Sequence, residues 1–358
     1  MLIPNKYRSK KRAALGLVGS LVIARPTALS LSRFPAFSRV LSEPNRERRM
    51  GIRASHPAKW LPILIGPTIL VCGIGATASA AQPQNTESAI HVSGSGGETY
   101  VLVSGLMGGV TGFHRLQSVL VDRGHRVIII DPYRLSEDSA DLSFTAMARR
   151  VDRVLARNHV SSATVVGHSH GGGVALRLAA LSPDRVEALY LLDVGALPSQ
   201  KTVVFSASLR LVPVIARLPG GKAFIRTRVV RGLRESSGRT DWLDSKTRDA
   251  YSEPFIAGID RVVRLALRLA RTKETTPLAA IVSSLRAPTT VILGAAPHIG
   301  GPAPGEFDAL EPLGDRFRVE RIRGAGHFVH EEVPELIATL LSPRSRQAAA
   351  SSLQPGTR

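Results

Sequence analysis

The chain has 358 residues, 44% of them hydrophobic, with a mean hydropathy of +0.06 and a formal charge of +19. That length implies one or two domains and a core large enough to need no disulfides. Residues 1–81 carry 13 Lys/Arg against 2 Asp/Glu, which leaves about +8 for the rest and argues against a nucleic-acid-binding body.

Residues 1–49 are rich in Arg, Lys and Ser with no sustained periodicity, and read as a basic disordered arm. At Met50 the pattern changes. Arg53 and Lys59 form a basic start, Trp60–Ile74 an apolar run, and Ala78-Ser79-Ala80 a small-x-small cleavage site. Residues 50–81 therefore predict a secretory signal and an exported, periplasmic or secreted protein. Because such a signal begins at a start codon, residues 1–49 are expected to be a gene-start error. The alternative is a membrane anchor through 60–81, long enough to span but interrupted by Pro62 and Pro67. Cys72 is the single cysteine. Removal of the signal leaves no thiol for a disulfide, a metal site or a nucleophile.

From residue 82 the elements come in a regular order. Strands are expected at 89–93, 100–103, 126–131, 163–168, 186–193, 289–295 and 316–324, and helices at 112–124, 144–158, 171–181 and 334–341. Strands that are apolar throughout, with helices between them, predict a mostly parallel sheet covered on both faces. The core comprises 82–195 and 286–343, with a disordered tail at 344–358. Residues 196–285 break the rhythm with helical patterns and no strand, and read as a helical cap. Within it Arg261, Arg264, Arg268 and Arg271 form one basic stripe. Its readings are a solvated outer face, or contact with a membrane surface or an anionic substrate.

Gly167-His168-Ser169-His170-Gly171 fits G-x-S-x-G, between an expected strand and an expected helix. The glycines permit a tight turn that exposes the Ser169 hydroxyl beside a helix N-terminus, where negative charge is favoured. A serine needs a base. His327, in Gly324-Ala325-Gly326-His327-Phe328 after the last strand, is the candidate; His330 is the fallback and is otherwise expected at the surface or behind the base. His114, His125 and His159 are expected to face solvent, and His168 and His170 to shape the pocket. The amides of His170 and Leu106, the latter in Ser104-Gly105-Leu106-Met107-Gly108-Gly109, are the expected oxyanion donors. Residues of metal-ligand type do not cluster at metal spacing, so neither metal nor organic cofactor is expected.

"VLVSGLMGG", "VVGHSHGGGVAL", "VEALYLLD" and "GAGHFVHEEVPELI", in that order, resemble the α/β-hydrolase fold over about residues 88–343, in its capped, serine esterase-like form. The resemblance implies a catalytic triad, a nucleophile elbow and a cap inserted after the sixth strand, the one ending "YLLD". It departs in two places. Ser104-Gly105 stand where the family carries a His-Gly pair, so the histidine's hydrogen-bonding role passes to Ser104 or is lost. Where the family places an aspartate after the seventh strand, this chain reads Gly294-Ala295-Ala296-Pro297-His298. The triad acid is then Asp193, closing the sixth strand as in some relatives, or Glu306 or Asp308 from a lengthened loop, or absent. Asp131 ends a strand beside the wrong loop and reads as a capping group.

The implied function is a serine hydrolase cleaving a carboxylic ester or related acyl bond of a small molecule through an acyl-enzyme. The same triad would serve a C–C bond hydrolase or a lactonase. A non-catalytic binding protein on the same fold is the rival outside enzymology. Oligomeric state is not legible. N-terminal sequencing of exported protein is expected to begin just after Ala80; an intact 60–80 segment in the mature chain would refute cleavage.

Overall fold

The computed structural model describes residues 89–106, 108–135, 141–194, 207–302 and 305–342. The arm at 1–49, the signal or anchor at 50–81 and the tail at 344–358 lie outside these residues.

Seven strands form one sheet: β1 (Ile90–Ser93), β2 (Thr99–Val103), β3 (Arg126–Ile130), β4 (Ala163–His168), β5 (Val186–Leu192), β6 (Thr289–Gly294) and β7 (Phe317–Ile322). Their order is β1-β3-β2-β4-β5-β6-β7. Only β1 runs antiparallel, pairing with β3 at Ile90↔Ile130; every other pair is parallel. The strand ending "YLLD" is the fifth in chain order among the described residues.

Alternation along the strands builds two apolar layers. Val101, Val103, Ile128, Ile130 and Val165 point to the face covered by α2 (Phe144–Arg157) and α3 (His170–Leu181). Tyr100, Leu102, Val127, Ile129 and Val166 point to the face covered by α1 (His114–Asp122) and α10 (Pro334–Leu340). A strand buried on both faces has no polar side, so its sequence reads as an unbroken apolar run. Each fully buried aliphatic side chain contributes roughly 1.5–3 kcal/mol.

The helical expectation at 112–124 resolves into a 3-10 turn over Gly109–Phe113 followed by α1. Between β5 and β6 lie α4 (Val212–Arg217), α5 (Gly221–Glu235), α6 (Ser245–Ala257), α7 (Ile259–Leu269) and α8 (Leu278–Ser283), with no strand among the described residues. Helix α6 was not legible, because its apolar residues are few and Pro254 stands inside it. Asp244 starts it by accepting from the Thr247 N–H at 2.7 Å. A short turn, α9 (Val329–Glu332), precedes α10.

A buried ion pair ties the chain after α7 to the core. The Arg177 guanidinium, wholly buried, is 3.6 Å from Glu274 and lies 4.9 Å from the centre of the Phe144 ring. The Thr145 hydroxyl donates to Glu274 at 2.7 Å. Glu274→Gln is expected to lower unfolding stability by about 3–5 kcal/mol in urea titrations, because it removes one charge of a buried ion pair.

Candidate active site

Ser104, Ser169, Asp193, His298 and His327 follow the carboxyl ends of β2, β4, β5, β6 and β7, in a sheet whose order reverses between β2, β3 and β4. The elbow after β4 is drawn tight by close backbone approach. A Cβ on Gly167 would lie 2.6 Å from Gly172 Cα, and one on Gly171 would lie 2.4 Å from the Ser104 carbonyl oxygen. Ser169 sits between them at φ 51°, ψ −129°, a conformation non-glycine residues rarely hold, which costs on the order of 1–3 kcal/mol. Its N–H is held by the Leu192 carbonyl at 2.9 Å, so the strained turn is fastened to the end of the neighbouring strand. His170 opens α3, so its N–H belongs to the first turn, which lacks helical partners.

The loop after β2 touches the elbow. A Cβ on Gly105 would meet Ser169 Cβ at 3.1 Å and the His168 carbonyl at 3.0 Å. The Ser104 hydroxyl donates to the Gly109 carbonyl at 2.6 Å, which closes the loop. Leu106 follows in that loop and is half-buried.

His327 Nδ1 donates to Asp193 Oδ2 at 2.7 Å. The carboxylate on His327 is therefore Asp193. Asp308 opens an exposed turn at Asp308–Arg316, and Glu306 lies in the loop before it; neither is the carboxylate bonded to this imidazole. With its Nδ1 proton directed at the carboxylate, the neutral His327 ring carries its lone pair on Nε2. Asp193 is wholly buried, with φ 44°, and its other oxygen accepts the Gly294 N–H at 3.2 Å. The His327 loop is clamped from below and from the side. Glu332 accepts the N–H groups of Gly326, Gly238 and Arg239, and the His327 N–H donates to the Ser236 carbonyl at 2.8 Å.

The remaining histidines divide. His168 Nε2 donates to the His327 carbonyl at 3.0 Å, and its ring lies tilted against those of His327 and His330, with centres 4.7 Å and 4.3 Å away. His330 was expected at the surface or behind the base. It is wholly buried, donating to the Gly112 carbonyl at 2.7 Å, because the turn α9 points it under the site. His170 Nδ1 is hydrogen-bonded to the Tyr133 hydroxyl at 2.5 Å. His159 is exposed. His125 and His114 are not simply solvent-facing: His125 lies edge-on to Tyr100, and His114 pairs with the buried Glu331 at 2.9 Å. Burial pushes His168 well below the usual imidazole range, His170 to about 4 and His330 to about 3. Asp131 caps the turn after β3 by accepting from the N–H groups of Tyr133 and Arg134, and burial raises it.

Sequence reasoning passed over His298 as a mere departure from the expected aspartate. Its Nε2 lies 2.9 Å from Asp193 Oδ2. Only its distance from the strand end signalled this. Donor atoms of Asp193, His298 and His327 lie within 4.8 Å of one another, the one such grouping among the described residues. The hydrogen bonds running between these atoms account for their approach without an ion.

A cavity of about 250 Å³ opens against the β2 loop. Leu106, Val110, Phe255, Val262 and Leu265 are among its apolar lining, and Asp131, Arg134 and Arg261 are its charged lining. Of the basic stripe, Arg261, Arg264 and Arg271 are exposed and Arg268 is half-buried. Among the described residues no helix is long and apolar enough to cross a membrane.

The profile of the alpha/beta hydrolase fold matches residues 100–334, and the chain belongs to that family. It is 26% identical over 256 residues to the sn-1-specific diacylglycerol lipase ABHD11 of Mus musculus, covering 66% of this chain and 76% of that one. It is 32% identical over 120 residues to esterase YbfF of Escherichia coli strain K12, covering 33% and 43% of the two. A thermophilic esterase from Thermogutta terrifontis shares the fold, with a TM-score of 0.52 at 20% identity over 73% of this chain and 93% of that one. The protein is an esterase- or lipase-like hydrolase of this family.

The buried histidines make stability depend on pH. In the unfolded chain they titrate near ~6.5, whereas in the fold His170 and His330 titrate at about 4 and about 3. The unfolded state therefore binds more protons below pH ~6.5, so stability is full above that pH and falls as the pH drops toward 4. Urea midpoints measured from pH 8 to pH 4.5 are expected to show this fall, with a shallower slope for His330→Asn.

Proposed function

We propose that this chain hydrolyses an ester, or a closely related acyl bond, of a small molecule by a serine mechanism in which Ser169 is the nucleophile, His327 the base and Asp193 the acid. The observation that carries the proposal is the 2.7 Å contact between His327 Nδ1 and Asp193 Oδ2, which leaves Nε2 free to take a proton. It is supported by the strained serine against the β2 loop. Ser169 Oγ attacks the carbonyl carbon and its proton passes to His327 Nε2. The amides of His170 and Leu106 receive the negative charge that develops on the carbonyl oxygen. As the tetrahedral adduct collapses, the imidazolium returns the proton to the departing alcohol. Water, deprotonated by the same nitrogen, then cleaves the acyl-serine. Asp193 holds the tautomer and stabilises the imidazolium formed in each half.

The apolar lining of the cavity suits an acyl chain of modest length, and the arginines that line it accommodate an anionic group. The relatives named diacylglycerol lipase and esterase support the same substrate chemistry. The non-catalytic reading drew on the aspartate missing near His298; the carboxylate on His327 removes that ground. We place the activity outside the cytoplasm on the strength of the signal-like pattern at 50–81.

A fluorophosphonate probe is expected to label Ser169, with labelling lost in Ser169→Ala and kept in Ser104→Ala. Asp193→Asn is expected to lower kcat on p-nitrophenyl esters by roughly 10³–10⁴, with Glu306→Gln and Asp308→Asn near wild type. An unlabelled wild-type protein would refute the mechanism, and product analysis separates ester cleavage from lactone or carbon–carbon cleavage.

A further inference from the structure

The position of His298 is more constrained than its half-hidden loop suggests. Nδ1 lies 2.7 Å from the Ala296 carbonyl oxygen, and Nε2 lies 2.9 Å from Asp193 Oδ2. Both partners are acceptors. A neutral imidazole has one N–H, so whichever tautomer it chose would set a lone pair against an oxygen at less than 3 Å. A ring protonated on both nitrogens satisfies both contacts. The environment of Asp193 agrees. Three donors converge on its two oxygens: His327 Nδ1 and His298 Nε2 on Oδ2, and the Gly294 N–H on Oδ1. That is the surrounding of an anion, and a wholly buried anion needs a counter-charge, which a neutral His327 does not supply.

We infer that His298 is a positioning residue, held doubly protonated, whose charge and N–H fix the buried Asp193 carboxylate that orients His327. The inference rests on the serine-hydrolase reading for its consequence in catalysis, but not for the protonation itself. The other ionisable groups packed around the cluster are engaged elsewhere. His168 and His330 are buried and donate to the carbonyls of His327 and Gly112. The Glu332 carboxylate is taken by backbone N–H groups of Gly238, Arg239 and Gly326, and Glu235 on α5 pairs with Arg231.

Two effects follow. With the Asp193 carboxylate held by a second N–H, its Oδ2 stays aimed at His327 as the imidazole gains and loses its proton. The nearby cation also opposes protonation of His327, so the base stays free at a lower pH than an aspartate facing it alone would allow. A site in which aspartate stands at the end of β5 therefore receives at residue 298 a compensating cation.

The test is nitrogen-15 NMR of the histidine rings in the full chain, with His298 assigned through its contacts to His327, together with the pH profile of kcat/KM. The His298 ring is expected to carry protons on both nitrogens at pH 7.5. In His298→Gln the acid limb of the profile should move up by about one pH unit, since the cation is gone, and His298→Lys should return it toward wild type. A singly protonated His298 ring at pH 7 overturns the inference. So does a His298→Gln variant whose activity falls equally at every pH. NMR reads the protonation whether or not an ester is cleaved, so a doubly protonated His298 in a protein inert to every ester would sink the hydrolase reading alone.

Discussion

The hydrogen bond between Asp193 and His327 joins two points 134 residues apart in sequence, and the rest of the site is organised around holding them together. Asp193 can reach the imidazole because it caps β5, the strand beside the elbow, in a left-handed backbone conformation that turns its side chain along the sheet edge. His327 can be reached because the loop after β7 is pinned on three sides, by Glu332, by Ser236 and by His168. A carboxylate sunk this deep tolerates little error: without its donors it would be an unpaired buried charge. The same low-dielectric setting strengthens each bond that it does make.

Strain is distributed with a purpose in this arrangement. Ser169 and Asp193 both hold positive φ, and they terminate adjacent strands. The Ser169 N–H is bonded to the Leu192 carbonyl, one residue before Asp193, so the two unfavourable turns brace each other across the sheet. Packing beneath them is stiff. Gly167, Gly171 and Gly172 let α3 sit directly on β4 and the β2 loop, and a side chain at any of these would displace backbone or a core valine. Relaxing either turn would require moving a helix that the apolar layer between α2 and α3 holds in place.

The helical segment between β5 and β6 is part of the site as well as its wall. Its residues 236–239 supply the carbonyl that takes the His327 N–H and two of the N–H groups that hold Glu332. Trp242 and Tyr251 pack around Phe328, the residue after His327. Pro254, Phe255 and Arg261 face the β2 loop across the cavity. The geometry of the His327 loop and the shape of the cavity are thus set by one insertion, so changes in that segment act on both.

Local pattern was enough for most of the fold. Unbroken apolar runs at 100–103, 126–131 and 163–168 announce strands covered on both sides, and G-x-S-x-G between a strand and a helix announces the elbow, because these features depend on neighbours within a few residues. The helix at 245–257 escaped because a weakly amphipathic stretch with an internal proline is stabilised by its contacts rather than by its own pattern. His327 and Ser169 could be named from motifs; the carboxylate that meets His327 could not. Asp193, Glu306 and Asp308 each stood in a plausible loop, and which of them meets an imidazole depends on where β5, β6 and β7 lie side by side, a matter of pairing between distant segments. The sequence by itself determined the α/β architecture and singled out Ser169 and His327. Only the tertiary structure decided that Asp193 is the carboxylate on His327 and that His298 shares it, because a hydrogen bond across 134 residues is a property of the assembled sheet edge and leaves no period or spacing in the chain.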